Sequence, residues 1–140
     1  MSGHDLRRMT RAVQNRAKIT VVDDDTSVRE ALQGLLRSAG FDAEVFASAA
    51  EFLNSSGVRV TACLVLDVRM PGMSGVELQK RLIASGCTVP IIFISTYADE
   101  EVRSLVLERG AVDFLQKPFT KEALLSAIER ARGTAALPDP

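Results

Sequence analysis

Short apolar runs alternate with amphipathic stretches five times along the chain. The runs are ITVV at 19–22, AEVF at 43–46, ACLVL at 62–66, IIFIS at 91–95 and VDFLQ at 112–116. Three of them are near-continuous in apolar character, as strands buried on both faces of a parallel sheet are. The stretches between carry helix punctuation. Ser27-x-x-Glu30, Ser48-x-x-Glu51 and Ser74-x-x-Glu77 each set a hydroxyl and a carboxylate where they can satisfy the free amides of a first turn. Gly40, Gly86 and Gly110 each follow an apolar-periodic segment, where a left-handed residue commonly ends a helix. Thr120 is placed to cap the last helix, whose Leu124, Leu125, Ile128 and Ala131 form one stripe. Gly133 is expected to stop that helix, with Pro138 and Pro140 preventing its resumption. This alternation predicts an α/β fold: a single (βα)5 unit wound on both sides of a parallel sheet.

At 140 residues the chain has the size of one domain, long enough to hold a core without disulfide or structural metal. Its organisation reads as a basic N-terminal extension over 1–17, expected to be flexible, a folded domain over 18–132, and a linker or tail over 133–140. Lys and Arg number 17 against 18 Asp and Glu, so the molecule as a whole offers no electrostatic lure for nucleic acid or membrane. Positive charge is concentrated at the start, where residues 1–18 hold four arginines and a lysine against one aspartate. His4 in that leader belongs to no ligand or base pattern. Cys63 and Cys87 lack metal-ligand spacing and read as reduced thiols. No apolar run approaches the roughly 18 residues of a membrane span, and the polar start does not read as a secretory signal. A cytoplasmic protein is expected.

Ligands of open parallel sheets bind beyond the C-terminal ends of the strands. The polar residues at those ends are Asp23-Asp24-Asp25, Asp67, Ser95-Thr96 and Lys117. Neighbouring side chains within a strand point to opposite faces, so Asp23 and Asp24 can converge only where strand has given way to loop. Carboxylates crowded there repel one another and need a cation. A sparse acidic set suits Mg²⁺, which keeps several waters and accepts phosphoryl oxygens, better than Ca²⁺. Asp25, beside Thr26 and Ser27, equally fits a helix N-cap. Asp67 leads into Arg69-Met70-Pro71-Gly72, a loop that shapes its surroundings without covering it. On the residues alone, Lys117 also fits an ordinary turn lysine, Ser95 a satisfied strand-end serine and Phe114 a plain core ring.

VVDDD, LVLDVRMPGMSG, IIFIST and DFLQKPF, in this order and spacing, resemble the receiver domain of bacterial two-component response regulators over about residues 18–132. RMPGMSGVEL and GAVDFLQKPF look most like FixJ-type receivers, which commonly precede a helix-turn-helix DNA-binding domain. The resemblance implies the flavodoxin-like strand order 2-1-3-4-5, with the site between strands one and three. It implies that Asp67 accepts a phosphoryl group from a sensor histidine kinase. Asp24, Asp67 and the backbone carbonyl of Arg69 become Mg²⁺ ligands, with Asp23 acting through a metal-bound water. Lys117, before a Pro118 whose peptide bond is typically cis in the family, and Ser95 become contacts of the phosphoryl group. Thr96 departs from the family, which usually has Gly or Ala there. Ser95 and Phe114 are the implied switch pair, and Arg69 and Tyr97 flank the site, bulky enough to slow hydrolysis.

The implied output surface is the face made by helix four, strand five and helix five, as a homodimer contact formed on phosphorylation. Leu105, Val106 and Leu107 there offer more apolar positions than one buried stripe takes, and equally fit three residues that are all buried or harmlessly scattered. The expected activity is a phosphorylation-activated switch without free-substrate turnover, hence not an enzyme, and with no membrane partner. DNA is expected to be engaged only through a further domain outside these 140 residues; the alternative is a stand-alone receiver acting by protein contact. A remote rival is a phosphohydrolase of the haloacid-dehalogenase type, whose Asp-x-Asp signature VVDDDTSV nearly fits. Ser27 stands where that signature expects Thr or Val, and no later strand ends in the paired acids it needs.

Overall fold

The computed structural model describes residues 17–136. The strands are β1 Lys18–Val22, β2 Asp42–Phe46, β3 Cys63–Asp67, β4 Ile91–Ser95 and β5 Asp113–Gln116. They alternate with the helices α1 Thr26–Ser38, α2 Ala49–Leu53, α3 Gly75–Ala84, α4 Glu100–Glu108 and α5 Lys121–Ala136. A short 3₁₀ turn, Ser56–Arg59, precedes β3. All strand pairs are parallel and the order is β2-β1-β3-β4-β5, the doubly wound arrangement that the sequence predicts. Nearly all of the basic extension, His4 included, and the end of the tail lie outside the described residues. Among the described residues, no helix is long and apolar enough to cross a membrane.

Alternation along each strand sorts its side chains to two faces. On one face Ile19, Val21, Cys63, Val65, Ile92 and Ile94 meet Leu32 and Leu36 of α1 and Leu124 and Ile128 of α5. On the other, Leu64, Leu66 and Phe93 meet Phe52 of α2, Leu78 and Leu82 of α3 and Val106 of α4. Both central strands, β3 and β4, are buried at every position, which is why their sequences are uninterrupted. Burial pushes the Cys63 thiol up to about 12, so it stays protonated and inert at neutral pH.

The helix ends follow the sequence with two corrections. Asp25 caps α1, accepting from the amides of Ser27 at 2.8 Å and Val28 at 3.3 Å. The Ser27-x-x-Glu30 box does not form, because the aspartate starts the helix two residues earlier and leaves Ser27 inside the first turn. The hydroxyls of Ser48 and Ser74 do cap α2 and α3, each accepting from a glutamate amide at 3.1 Å. Thr120 caps α5 through the Ala123 amide at 3.0 Å, and Gly40, Gly86 and Gly110 adopt φ of +94°, +80° and +102°. Gly133 does not stop α5, which runs on to Ala136. A glycine inside a helix costs about 1 kcal/mol relative to alanine, which weakens a helix without breaking it when alanines follow.

Val106 is buried, while Leu105 and Leu107 are each half-buried. The outer face of α4 therefore carries partly covered leucines rather than a bare apolar ridge.

Candidate functional site

Strand register brings the chain ends of β1, β3, β4 and β5 to one rim. Val22 pairs with Leu66, Asp67 with Ile94, and Ser95 with Gln116, so the residues at or just beyond those positions share one level. Asp23, Asp24, Asp67, Arg69, Ser95 and Lys117 line a single cavity of about 290 Å³, together with Asp25, Thr96 and Tyr97. A larger open groove of about 990 Å³ lies at the opposite rim, beside Ala17, Ala62 and Pro90. No acids converge on that groove, so the chemistry belongs to the smaller cavity.

Asp23 continues the ladder of β1, its amide donating to the Phe46 carbonyl at 3.1 Å, and it is wholly buried. One carboxylate oxygen accepts from the Asp25 amide at 2.8 Å and the other from Lys117 Nζ at 2.8 Å. The Arg29 guanidinium donates to its carbonyl at 2.7 Å, so every polar group of Asp23 is fixed. Asp24 is exposed, and Asp67, the last residue of β3, is 5% exposed. One oxygen from each of Asp23, Asp24 and Asp67 lies within 4.8 Å of the others. Lys117 Nζ stands 3.6 Å from Asp67 Oδ1. The Lys117 amide donates to the Ser95 carbonyl at 2.7 Å, and the Lys117–Pro118 peptide is cis.

Burial first, and then the neighbouring Asp23, raise the Asp67 carboxyl to about 7, against the opposing pull of Lys117; Asp24 adds to the rise. Three hard oxygen donors face one amine, with solvent on one side. That donor set fits Mg²⁺, which needs few protein carboxylates and tolerates open positions.

Ser95 is 2% exposed, and its Oγ accepts from the Tyr97 amide at 3.1 Å. Thr96 is exposed at the cavity edge. Across the mouth, the Arg69 guanidinium lies 5.0 Å over the Tyr97 ring and 3.6 Å from Asp99 Oδ2. Asp99 in turn caps α4, its Oδ1 accepting from the amides of Glu101 and Val102 at 3.1 and 3.2 Å. The sequence signal for Asp99 is its place before Glu100-Glu101, a capping aspartate followed by acids suited to a first turn.

Phe114 does not line the site. It is buried in the second core cluster and borders a separate cavity of about 160 Å³ with Ala98, Asp99, Glu100, Arg103 and Gln116. Gly75, the last residue of LVLDVRMPGMSG and the first of α3, acts through its lack of a side chain. A Cβ there would meet the Asp67 carbonyl oxygen at 2.2 Å, so the helix start rests directly on the backbone that carries Asp67.

Known proteins resemble this chain in sequence and in fold. The chain is 48% identical over 113 residues to the response regulator protein TmoT of Ectopseudomonas mendocina, covering 81% of this chain and 51% of that one. It is 40% identical over 116 residues to the transcriptional regulatory protein FixJ of Bradyrhizobium diazoefficiens, covering 83% and 57%. The solved structure of the response regulator StyR superposes with a TM-score of 0.80 at 48% identity, over 86% of this chain and 61% of that one. The chain thus spans about half the length of the curated relatives it matches. With the model of the response regulator receiver domain matching residues 19–129, the chain belongs to the family of two-component receiver domains.

Proposed function

We propose that this chain is a phosphorylation-driven switch in which Asp67 accepts a phosphoryl group from the histidine of a sensor kinase. The observation that carries the reading is the convergence of three carboxylate oxygens within 4.8 Å, with Lys117 Nζ 3.6 Å from Asp67. Asp24, Asp67 and the Arg69 carbonyl would hold Mg²⁺, with Asp23 on one of its waters, and the ion when bound neutralises charge on the group in transfer.

The deprotonated Asp67 oxygen attacks phosphorus, forming an acyl-phosphate O–P bond as the donor's P–N bond breaks and its electron pair leaves with the imidazole. Lys117, held by Asp23, presents its ammonium to a phosphoryl oxygen, a fixed charge that needs no reorganisation at the moment of reaction. Ser95 donates its hydroxyl proton to another phosphoryl oxygen, drawing in the loop that begins at Thr96. That loop borders the cavity beside Phe114, which makes Phe114 the residue that passes the change to the α4–β5–α5 face. The partly covered Leu105 and Leu107 support a homodimer contact there. Arg69 and Tyr97, stacked at the mouth, stand in the way of an in-line water and favour slow hydrolysis. The chain turns over no free substrate in this reading and works in the cytoplasm. Names such as transcriptional regulatory protein among the relatives support an output at DNA, through a further domain.

Incubation with Mg²⁺ and acetyl phosphate, followed by intact-mass measurement, tests the reading. The wild type is expected to gain one phosphoryl group, and chelation of the metal to prevent the gain. An unchanged wild-type mass refutes it. Sedimentation of the same sample reads the output step: a rise in dimer on phosphorylation is expected, and identical monomer populations refute the dimer contact.

A further inference from the structure

We propose that the crevice between the C-terminal ends of α3 and α4 is a binding site for a small organic acid with an apolar body and one hydrogen-bond donor. The donor seats on Gln79 and the acid group on Arg109. This cavity shares no residue with the one around Asp67, and the proposal does not depend on the chemistry of Asp67.

The crevice has the size and lining of a small-molecule site. It encloses about 300 Å³, the lower end of the range that ligand cavities occupy. Leu82, Ile83, Val89, Ile91 and Ala111 line it, a surface suited to an apolar body. Gly86 and Gly110 end the two helices here with φ of +80° and +102°, so both chains turn away and leave a recess. Each turn satisfies itself. The Cys87 amide donates to the Leu82 carbonyl and the Ala111 amide to the Val106 carbonyl, both at 2.9 Å, the pattern that closes a helix on a left-handed glycine.

Gln79 is the polar group left over. It lines the cavity, is 1% exposed, and donates from Nε2 to the Val106 carbonyl at 3.0 Å. Its Oε1 is buried and has no hydrogen-bond partner among the described residues. Glu44 Oε1 is in the same position there, but it has Lys18 Nζ at 2.9 Å; Gln79 Oε1 has no such charge beside it. A buried acceptor without a partner is costly. The Val106 carbonyl already accepts from Ala111, so it does not require the amide, and leucine would fill the position without an orphan. A donor arriving in the cavity accounts for both facts. Charge at the mouth sets the sign of the ligand. Among the described residues Arg109 is the one charged side chain lining the cavity, and it is exposed. A guanidinium pairs with a carboxylate through two parallel hydrogen bonds.

Titration of isotope-labelled protein with 4-hydroxybenzoate, followed by backbone amide shifts, tests the site, with benzoate as the acid that lacks the donor. Shifts are expected at residues 79–91 and 109–111. The wild type is expected to bind 4-hydroxybenzoate about fivefold more tightly than benzoate, the scale of one neutral hydrogen bond. Gln79→Leu is expected to abolish that preference, and Arg109→Gln to weaken both acids about tenfold. Cys87 gives a second readout. It is a half-buried free thiol at the cavity, whereas Cys63 is buried and protonated, so alkylation of Cys87 by iodoacetamide is expected to slow when 4-hydroxybenzoate is bound. Equal affinities of the two acids for the wild type overturn the proposal, whether or not Gln79→Leu folds. So do shifts that avoid these two segments up to the solubility limit of the acid, and so does unchanged alkylation of Cys87 at saturation.

Discussion

An Asp67→Asn protein is expected to take up no phosphoryl group, yet to melt at a higher temperature than wild type at pH 8 in the presence of a chelator. The amide cannot form the acyl phosphate, which accounts for the first half. The second half follows from linkage. Burial, with Asp23 beside it, raises the Asp67 carboxyl from 3.8 to about 7. Between those values the folded protein keeps a proton that the unfolded chain has released. The stability this contributes is complete below about pH 4 and is lost as pH rises through about 7. At pH 8 the metal-free wild type therefore carries an ionised carboxylate among two others in a half-closed cavity. Asparagine has nearly the same shape and no charge, so the gain is about 3 kcal/mol at pH 8 and under about 1 kcal/mol at pH 4. Mg²⁺ reverses the order, since a ligand that binds only the folded state stabilises it by mass action and asparagine is the poorer ligand. Thermal melts of both proteins across pH 4–8, in chelator and in Mg²⁺, read all of this. A gain that does not change with pH would show that buried charge is not its source.

The same residue marks where the sequence is informative. Strands buried on both faces must be apolar at successive positions, so IIFIS announces β4 at its full extent, Ile91–Ser95. In a doubly wound sheet the strand ends share one rim, so Asp23, Asp67, Ser95 and Lys117 could be gathered before any coordinates. Local competition was harder to read. Asp25 and Ser27 both suit an N-cap, and only the backbone path of β1 into α1 decides for Asp25. Contacts between distant segments leave no periodic trace at all. Gln79 reaches Val106, 27 residues on, from a position whose neighbours make it look like one more polar residue of an amphipathic helix. Phe114 is apolar in either role, and composition cannot separate a core ring that borders a moving loop from one that does not. Its burial in the unphosphorylated form does mean that a switch through Phe114 need not begin from an exposed ring.

Gly75→Ala is expected to lower stability by about 3 kcal/mol, near the upper end of what overpacking costs, and to slow phosphoryl uptake as well. The reason is positional. Gly75 is the first residue of α3, its amide donates to the Val68 carbonyl at 2.9 Å, and Ser74 caps the turn around it. A methyl group would meet the Asp67 carbonyl oxygen at 2.2 Å and the Leu66 Cγ at 3.1 Å. Carbon contacts become favourable only near 3.5 Å, so the backbone at one end or the other must move by about 1 Å. Moving α3 opens the core at Leu78 and Leu82. Moving the end of β3 displaces the Asp67 carboxylate from Lys117 and Asp24, and a shift of that size costs on the order of a hundredfold in a positioned reaction. Gly34→Ala is the matched control. Gly34 sits inside α1 with nothing within 4 Å of its Cβ position, so alanine there restricts the unfolded chain and stabilises by about 0.5–1 kcal/mol. Denaturant unfolding of the two variants, with the rate of phosphoryl uptake from acetyl phosphate, decides the matter. Opposite signs in stability, with slowed uptake only in Gly75→Ala, are the expected pair. Equal effects would mean that α3 does not bear on the strand end, and that Asp67 is held in place by something other than the backbone contact beneath it.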